Sequence, residues 1–368
     1  MQSIAKPWLK QLGVYEPGRP VEEVARELGL PDAAAIVKLA SNENPLGPSP
    51  KAVAAVREAA ARMHYYPDGS AFYLRQALAR KLGVKPEQLI IANGSNEILE
   101  FIGHVFLEPG DAVVMADRAF AIYRLIAAMF QAQVAEAPMR NYTHDLDAML
   151  RAVTPRTKVI FIANPNNPTG TMVDKADLDR FMEKLPPHVV VCLDETYIDL
   201  LPPERRPDSL RYLREGRRVI LLRTFAKNHG LAGLRIGYAV TSEHGVLMMN
   251  QIRQPFNVNS LALAAALAAL DDDEHLRRFQ ELVRTELPFM MAGLDRLGLT
   301  YVPSVANFLM VDVGDGRAVF NALQKELVIV RPLNGYNLPR HVRISLGTRP
   351  ENEKCLRALE KVLAQRSA

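Results

Sequence analysis

The stretch Val219-Ile220-Leu221-Leu222-Arg223-Thr224-Phe225-Ala226-Lys227 decides how this chain is read. Its apolar start reads as a buried strand. Lys227 then falls on the loop just beyond, where its amine can meet an aldehyde and form a Schiff base. A lysine taken alone is a solvated surface residue by default, and the chain has 45 Lys and Arg. The reading therefore rests on what arrives beside it.

Three further loops follow strand-like runs. Val189 to Leu193 ends at Asp194, a carboxylate that at the carboxyl end of a strand can keep a pyridine nitrogen protonated and make the ring an electron sink. Three residues on, Tyr197 can bond the ring's phenolic oxygen. Asn167, in the loop after Lys158 to Ile162, can donate to the same oxygen. Gly94-Ser95-Asn96 lies between the strand Leu89 to Ile91 and an apolar helix from Ile98 to Phe106. Its N–H groups would face an anion from a helix start, although such a turn alone is usually an N-cap. Arg235, in Leu231 to Gly237, can add a fixed charge and a bidentate fork. In this order the four loops read as a pyridoxal phosphate site.

Helical and strand patterns alternate from about residue 50 to 270, which argues for an α/β fold with a mostly parallel sheet flanked by helices. Ala52 to Met63 and Phe72 to Leu82 read as helices, Ala112 to Met115 and Ile236 to Val240 as strands. The second half differs. Helical patterns from Leu261 to Leu297 lead to a strand Phe308 to Asp312, a helix near Ala318 to Glu326, two short strands and a terminal helix from Glu351 to Ala364, fitting a smaller α+β domain. The expected division is 1–45 as an N-terminal arm packing on the small domain, 46–265 as the large domain and 266–368 as the small one. The Ala-rich run Leu261 to Leu270 is most simply a packed helix.

Composition narrows the partners. A chain of 368 residues with 48% hydrophobic and 23% charged residues buries a large core. Net charge is +4 with no run of like charges, so nucleic acid is not an expected partner, and Pro203-Glu204-Arg205-Arg206-Pro207 reads as a solvated loop. Cys192 and Cys355 make no disulfide framework, and Met1 to Pro7 lacks the apolar core of a signal peptide. The longest apolar stretch, Leu261 to Leu270, is about half a membrane span. These features point to the cytoplasm, with no membrane partner. None of the eight histidines makes a defensible metal-ligand spacing, so no metal is expected. His229 reads as packed or solvated, and Glu195 as structural, on the opposite side of its strand end from Asp194.

The chain resembles the fold-type I pyridoxal phosphate aminotransferases, most closely the histidinol-phosphate aminotransferase family. The resemblance spans nearly the whole length and rests on blocks in family order: Lys38 to Pro48 (Lys-Leu-Ala-Ser-Asn-Glu-Asn-Pro-Leu-Gly-Pro), Tyr66-Pro67-Asp68-Gly69, Asn164 to Gly170, Lys227 to Gly237 and Val342 to Gly347. It implies a seven-stranded sheet in the large domain. It also implies that Lys227 bonds the cofactor and, once freed, moves the Cα proton. Asp194 would pair with the ring nitrogen, while Asn167 and Tyr197 bond the phenolic oxygen. Phe120 would stack on the ring, with Gly94, Ser95, Asn96, Thr224 and Arg235 around the phosphate. Tyr66 would reach the cofactor phosphate of a partner subunit, making the enzyme a homodimer with a shared active site. Substrate would meet Tyr15 on the closing arm, Asn44, Tyr123, Arg331 and Arg343, the last holding its anionic group and Arg331 a second anion.

Two positions depart from the family. Ala226 stands where a serine usually precedes the lysine, removing one phosphate hydroxyl, and by the resemblance Thr224, three residues before the lysine, would replace it. Phe256 stands where many members carry a tyrosine that touches substrate phosphate. The expected reaction is transfer of the amino group of histidinol phosphate to 2-oxoglutarate. Aromatic amino acid transamination is the alternative that Phe256 favours, and a decarboxylase of threonine phosphate the alternative of another class. A regulator would need a DNA-binding segment, and no helix-turn-helix pattern is evident in the roughly 50 residues before the sheet.

Overall fold

The computed structural model describes residues 4–13, 16 and 18–367. Its centre is a seven-stranded sheet of β1 (Leu89–Ala92), β2 (Ala112–Ala116), β3 (Gln133–Ala137), β4 (Thr157–Ala163), β5 (Val190–Asp194), β6 (Val219–Thr224) and β7 (Gly237–Val240). The order is β1-β7-β6-β5-β4-β2-β3, and only β7 runs antiparallel to its neighbours. The sheet is thus mostly parallel, as expected.

Both faces of this sheet are covered, which is why its central strands read as unbroken apolar runs. Leu89, Ile91, Ile160, Ile162, Val191, Leu193, Val219 and Leu221 join one core, with helices α1 (Pro50–Ala60), α2 (Phe72–Leu82) and, later in the chain, α5 (Ser260–Leu270). The alternate residues Ile90, Val159, Phe161, Val190, Cys192, Ile220 and Leu222 join a second core, with α3 (Ser95–Phe106) and α4 (Ala121–Met129). Each large side chain removed from water stabilises the fold by roughly 1.5–3 kcal/mol. The edge strand β3 is different: Gln-Val-Ala-Glu-Ala is half exposed, and its sequence carries little strand signal.

The expected boundary at 265/266 falls inside α5, whose Ala262, Ala265, Ala266, Ala269 and Leu270 all belong to the first core. The change of core comes after Leu270, at α6 (Asp273–Arg296). Phe279, Val283 and Met290 of α6 pack with α7 (Gly316–Lys325), α8 (Arg349–Ser367) and a four-stranded sheet. That sheet comprises β8 (Thr300–Val302), β9 (Phe308–Asp312), β10 (Arg331–Pro332) and β11 (His341–Ser345) in the order β8-β9-β11-β10. Val24, Ala25, Ile36, Leu39 and Ala40 from the start of the chain pack into this core. Val37–Lys38 also pairs in parallel with Val328–Ile329. The N-terminal segment is thereby drawn across to the small unit, and its continuation reaches the large one.

The carboxyl ends of β1, β4, β5 and β6 open on one side of the sheet, the side where ligands gather in open α/β sheets. Among the described residues no helix is long and apolar enough to cross a membrane.

Candidate active site

A cavity of about 250 Å³ lies at those strand ends, roofed by the small unit. Ser95 and Asn96 follow β1, Asn167 follows β4, Asp194 and Tyr197 lie at the end of β5, Thr224 ends β6, and Lys227 and Arg235 follow it. Phe120, which caps α4, completes this wall. Ser41, Asn42, Arg331, Arg343 and Gly18 close the other side.

Asp194 is buried at the floor. Its Oδ2 accepts from the Tyr123 hydroxyl at 2.8 Å and its Oδ1 from the Thr196 backbone N–H at 3.0 Å. Burial raises its pKa, and these hydrogen bonds only partly offset the effect. The floor therefore holds a carboxylate with neutral donors and a raised proton affinity.

Lys227 Nζ donates to the backbone oxygen of Ser41 at 2.8 Å. Burial, reinforced by Arg343, lowers its pKa to about 8 against the partial opposition of Glu43. Near neutral pH a useful fraction of this amine is therefore unprotonated.

The loop after β4 is tied down residue by residue. Asn164 Oδ1 accepts from Val173 N–H at 2.9 Å, Asn166 Nδ2 donates to Thr169 Oγ1 at 2.9 Å, and Gly170 N–H donates to Asn166 O at 2.8 Å. Gly170 sits at φ +76°, and a Cβ there would come within 2.2 Å of Ser304 Oγ. This leaves Asn167 facing the cavity, where its Oδ1 accepts from Arg343 Nη1 at 2.5 Å. Arg343 also donates from Nη2 to Ala40 O at 2.6 Å and lies 5.4 Å from the Phe308 ring centre. Arg331 donates to the backbone oxygen of Glu16.

At the anion end, Arg235 takes a left-handed backbone conformation, φ +56°. Gly94, at φ +80°, leaves room for its guanidinium: a Cβ on Gly94 would stand 2.7 Å from Nη2. The first turn of α3 and the guanidinium thus meet without a side chain between them. Thr224 Oγ1 accepts from Ala226 N–H at 3.0 Å, and both residues line the cavity. Among the described residues, Lys227, Arg235, Arg331 and Arg343 outnumber the one lining carboxylate, Asp194, so the cavity suits an anion.

Two expected substrate contacts are corrected. Tyr123 is fully buried behind the cavity, stacked on Phe161 at 4.8 Å, and its hydroxyl is committed to Asp194. Asn44 is turned away as well: its Nδ2 donates to Asn228 O at 3.2 Å and its Oδ1 accepts from Leu46 N–H, so it holds loops together. Tyr15 lies outside the described residues. Tyr66 does not line this chain's cavity; it is 83% exposed and stacks on Phe256 at 4.7 Å. His229 is buried against Phe225, and desolvation lowers its pKa to about 4. Glu195 is buried in an ion pair with Arg223 at 2.7 Å.

Sequence reasoning assigned no role to Ser41, Asn42 or Thr196, all on the cavity wall. The contacts of Ser41 and Thr196 described above are through backbone atoms, which residue identity does not reveal. Asn42 had a signal, an asparagine in a loop, the residue that most readily takes φ > 0 after glycine; it sits at φ +53°.

Residues 34–361 match the model of the family aminotransferase class I and II. The chain is 49% identical over 352 residues to a histidinol-phosphate aminotransferase from Moorella thermoacetica, covering 95% of this chain and 90% of that protein. It is 47% identical to histidinol-phosphate aminotransferase 2 of Pseudomonas fluorescens over 99% of this chain and 98% of that one. The crystal structure of histidinol-phosphate aminotransferase from Sinorhizobium meliloti in complex with pyridoxal-5'-phosphate superposes with a TM-score of 0.89, at 29% identity, covering 99% of this chain and 98% of that chain.

Proposed function

The chain belongs to the class I and II aminotransferases, and on that premise we propose that it transfers the amino group of histidinol phosphate to 2-oxoglutarate in histidine biosynthesis. It is a pyridoxal phosphate-dependent enzyme of fold type I. The observation that carries the reading is one cavity that joins Lys227 and Asp194 to Arg331 and Arg343. The 47–49% identity to histidinol-phosphate aminotransferases supports the choice of donor.

The residues fit the cofactor. Asp194 offers a buried carboxylate that would pair with a protonated ring nitrogen. Asn167 and Tyr197 present polar groups toward the same space, and Phe120 offers a ring face. Ser95, Asn96, Thr224 and Arg235 surround a place for a phosphate. When bound, pyridoxal phosphate supplies the sink for the electrons left at substrate Cα.

The protein does the rest. Lys227, its pKa held near 8, accepts the Cα proton at Nζ in its free form. Asp194 keeps a positive charge at the floor. Arg343 and Arg331 hold the substrate's anionic groups and orient Cα toward Lys227. Because Arg343 also donates to Asn167, substrate that takes the arginine frees the Asn167 amide oxygen, so binding is felt at the cofactor end.

The assembly in this reading is a homodimer in the cytoplasm. Tyr65, Tyr66, Phe72, Tyr73 and Phe256 are all exposed on the isolated chain, and a second copy covering them would receive Tyr66 in its own site. Mixing inactive Lys227→Ala protein with an inactive Tyr66→Ala variant then restores part of the activity. No recovery despite subunit exchange counts against the shared site.

The substrate is tested by single-turnover absorbance of cofactor-loaded protein against histidinol phosphate, phenylalanine and threonine phosphate. Rapid conversion to the amine form by histidinol phosphate alone supports the proposal. Equal conversion by phenylalanine makes the enzyme a broad aromatic one, and carbon dioxide released from threonine phosphate overturns the transaminase reading.

A further inference from the structure

Asn42 is 1% exposed and joins both units at the cavity. Its backbone N–H lies 2.8 Å from Ser345 Oγ. A backbone N–H can only donate, so Ser345 Oγ accepts there and must place its own proton elsewhere. Asn42 Oδ1 receives it, at 2.9 Å. In this arrangement Oδ1 of the amide faces Ser345, and Nδ2 faces the Tyr197 hydroxyl at 2.8 Å. An amide nitrogen can only donate, so the Tyr197 oxygen accepts and its phenolic proton is left to point away from Asn42. Tyr197 lines the cavity.

We propose that Ser345 and Asn42 form a one-way hydrogen-bond relay that makes Tyr197 a donor into the cavity, with Asn42 as its positioning residue. This rests on the reading of the cavity as a pyridoxal phosphate site, in which the acceptor is the ring's phenolic oxygen. Three features hold the relay in place. Asn307 Nδ2 donates to Asn42 O at 3.1 Å and Ser345 N–H to Leu39 O at 2.9 Å, fixing the backbone at both ends. Ser345 stands two residues from Arg343 on β11, so the strand that delivers the anion-binding arginine delivers the relay on the same face. Burial, the largest influence, pushes the Tyr197 phenol up to about 12, so its proton stays in place at working pH.

The test uses substrate-free holoenzyme and reads the pH midpoint of the bound cofactor's visible absorbance. A donor to the phenolic oxygen favours the high-pH form, whose negative charge is least shared, so losing the donor moves the midpoint up. Asn42→Gly keeps the left-handed backbone and removes the amide. Expected is an upward shift of about half a pH unit or more, with Tyr197→Phe shifting further and the double variant matching Tyr197→Phe. Ser345→Ala, which removes the relay's first link, moves the midpoint in the same direction and serves if Asn42→Gly fails to fold. An unmoved midpoint in Asn42→Gly or Ser345→Ala overturns the relay, as does an Asn42→Gly shift of equal size on the Tyr197→Phe background. A midpoint unmoved by Tyr197→Phe itself overturns the placement of Tyr197 and the relay with it. Loss of that band in Lys227→Ala supports the cofactor assignment independently of the relay.

Discussion

Asp194 and Glu195 are consecutive, both buried and both carboxylates, yet their surroundings are opposite. Glu195 Oε2 accepts from Arg223 Nε at 2.9 Å and lies 2.7 Å from its Nη2, a fork within the chain that answers its charge. Asp194, turned to the other side of the strand end, has a tyrosine hydroxyl and a backbone N–H, and its pKa is raised by burial. A charge matched by the chain's own arginine serves the fold. A buried carboxylate set among neutral donors, facing a cavity, serves a ligand that brings the positive charge.

Asp194→Asn tests the second half of that contrast most severely. The amide fills the same volume and keeps an acceptor for Thr196, but it cannot hold a protonated ring nitrogen. Turnover of the holoenzyme should fall on the order of 10³–10⁴-fold, about 4–5.5 kcal/mol of barrier. Absorbance should show cofactor still bound. Turnover within tenfold of wild type would erase the distinction between the two carboxylates.

Glu195→Gln should give the inverse result. It leaves Arg223 buried without its anion, which costs about 3–4 kcal/mol of stability, measured by urea unfolding of the apoprotein. The kcat of the folded fraction should stay within about fivefold, since Glu195 does not line the cavity. Adding Arg223→Met removes the stranded charge, so the double variant should regain part of the lost stability. A double variant less stable than Glu195→Gln would mean that Arg223 does more than answer Glu195.

The sequence was unequal in what it showed of this arrangement. Strand ends marked by apolar runs were legible, because a strand buried on both faces has no polar alternation to blur it: β4, β5 and β6 fall within two residues of expectation. So were the residues just past them, since a lysine or aspartate after such a run stands out. The edge strand β3 was not, being half exposed. Nor was the difference between a residue on the cavity wall and one behind it. Tyr123 sits one helical turn from Phe120, and only packing shows that its ring turns back onto Phe161. Asn42 depends on Ser345, 303 positions away, and no local pattern reports such a contact.

Lys227 sharpens the comparison from the cationic side, being buried in the same cavity with Arg343 and Arg235 to repel its charge. Association of apoprotein with pyridoxal phosphate requires the free amine. Its rate should rise about tenfold per pH unit below a midpoint near 8 and level off above it. Stopped-flow absorbance from pH 6 to 10 checks this. A rate still climbing tenfold per unit at pH 9.5 would place the amine in ordinary solvent. Arg343→Gln, removing the leading charge that depresses Lys227, should move the midpoint up.

The smallest effect is the one that most cleanly separates the two carboxylates, because it needs no chemistry. A carboxyl whose folded pKa is raised releases its proton sooner in the unfolded chain than in the folded one. The unfolded state then binds fewer protons, so stability falls as pH rises from the unfolded value through the folded value, and the loss persists above it. Asp194 therefore weakens the apoprotein at neutral pH. Asp194→Asn removes that term and should raise the apoprotein Tm by about 1–2 °C at pH 7, with the gain vanishing in acid below the usual aspartate range. Saturating pyridoxal phosphate should reverse the ranking, since wild type alone supplies a counter-charge to the ring and gains the greater ligand-linked stabilisation. If the apo variant is instead less stable by several degrees at every pH, Asp194 is a structural acceptor for Tyr123 and Thr196. The two neighbours would then differ in degree rather than in kind.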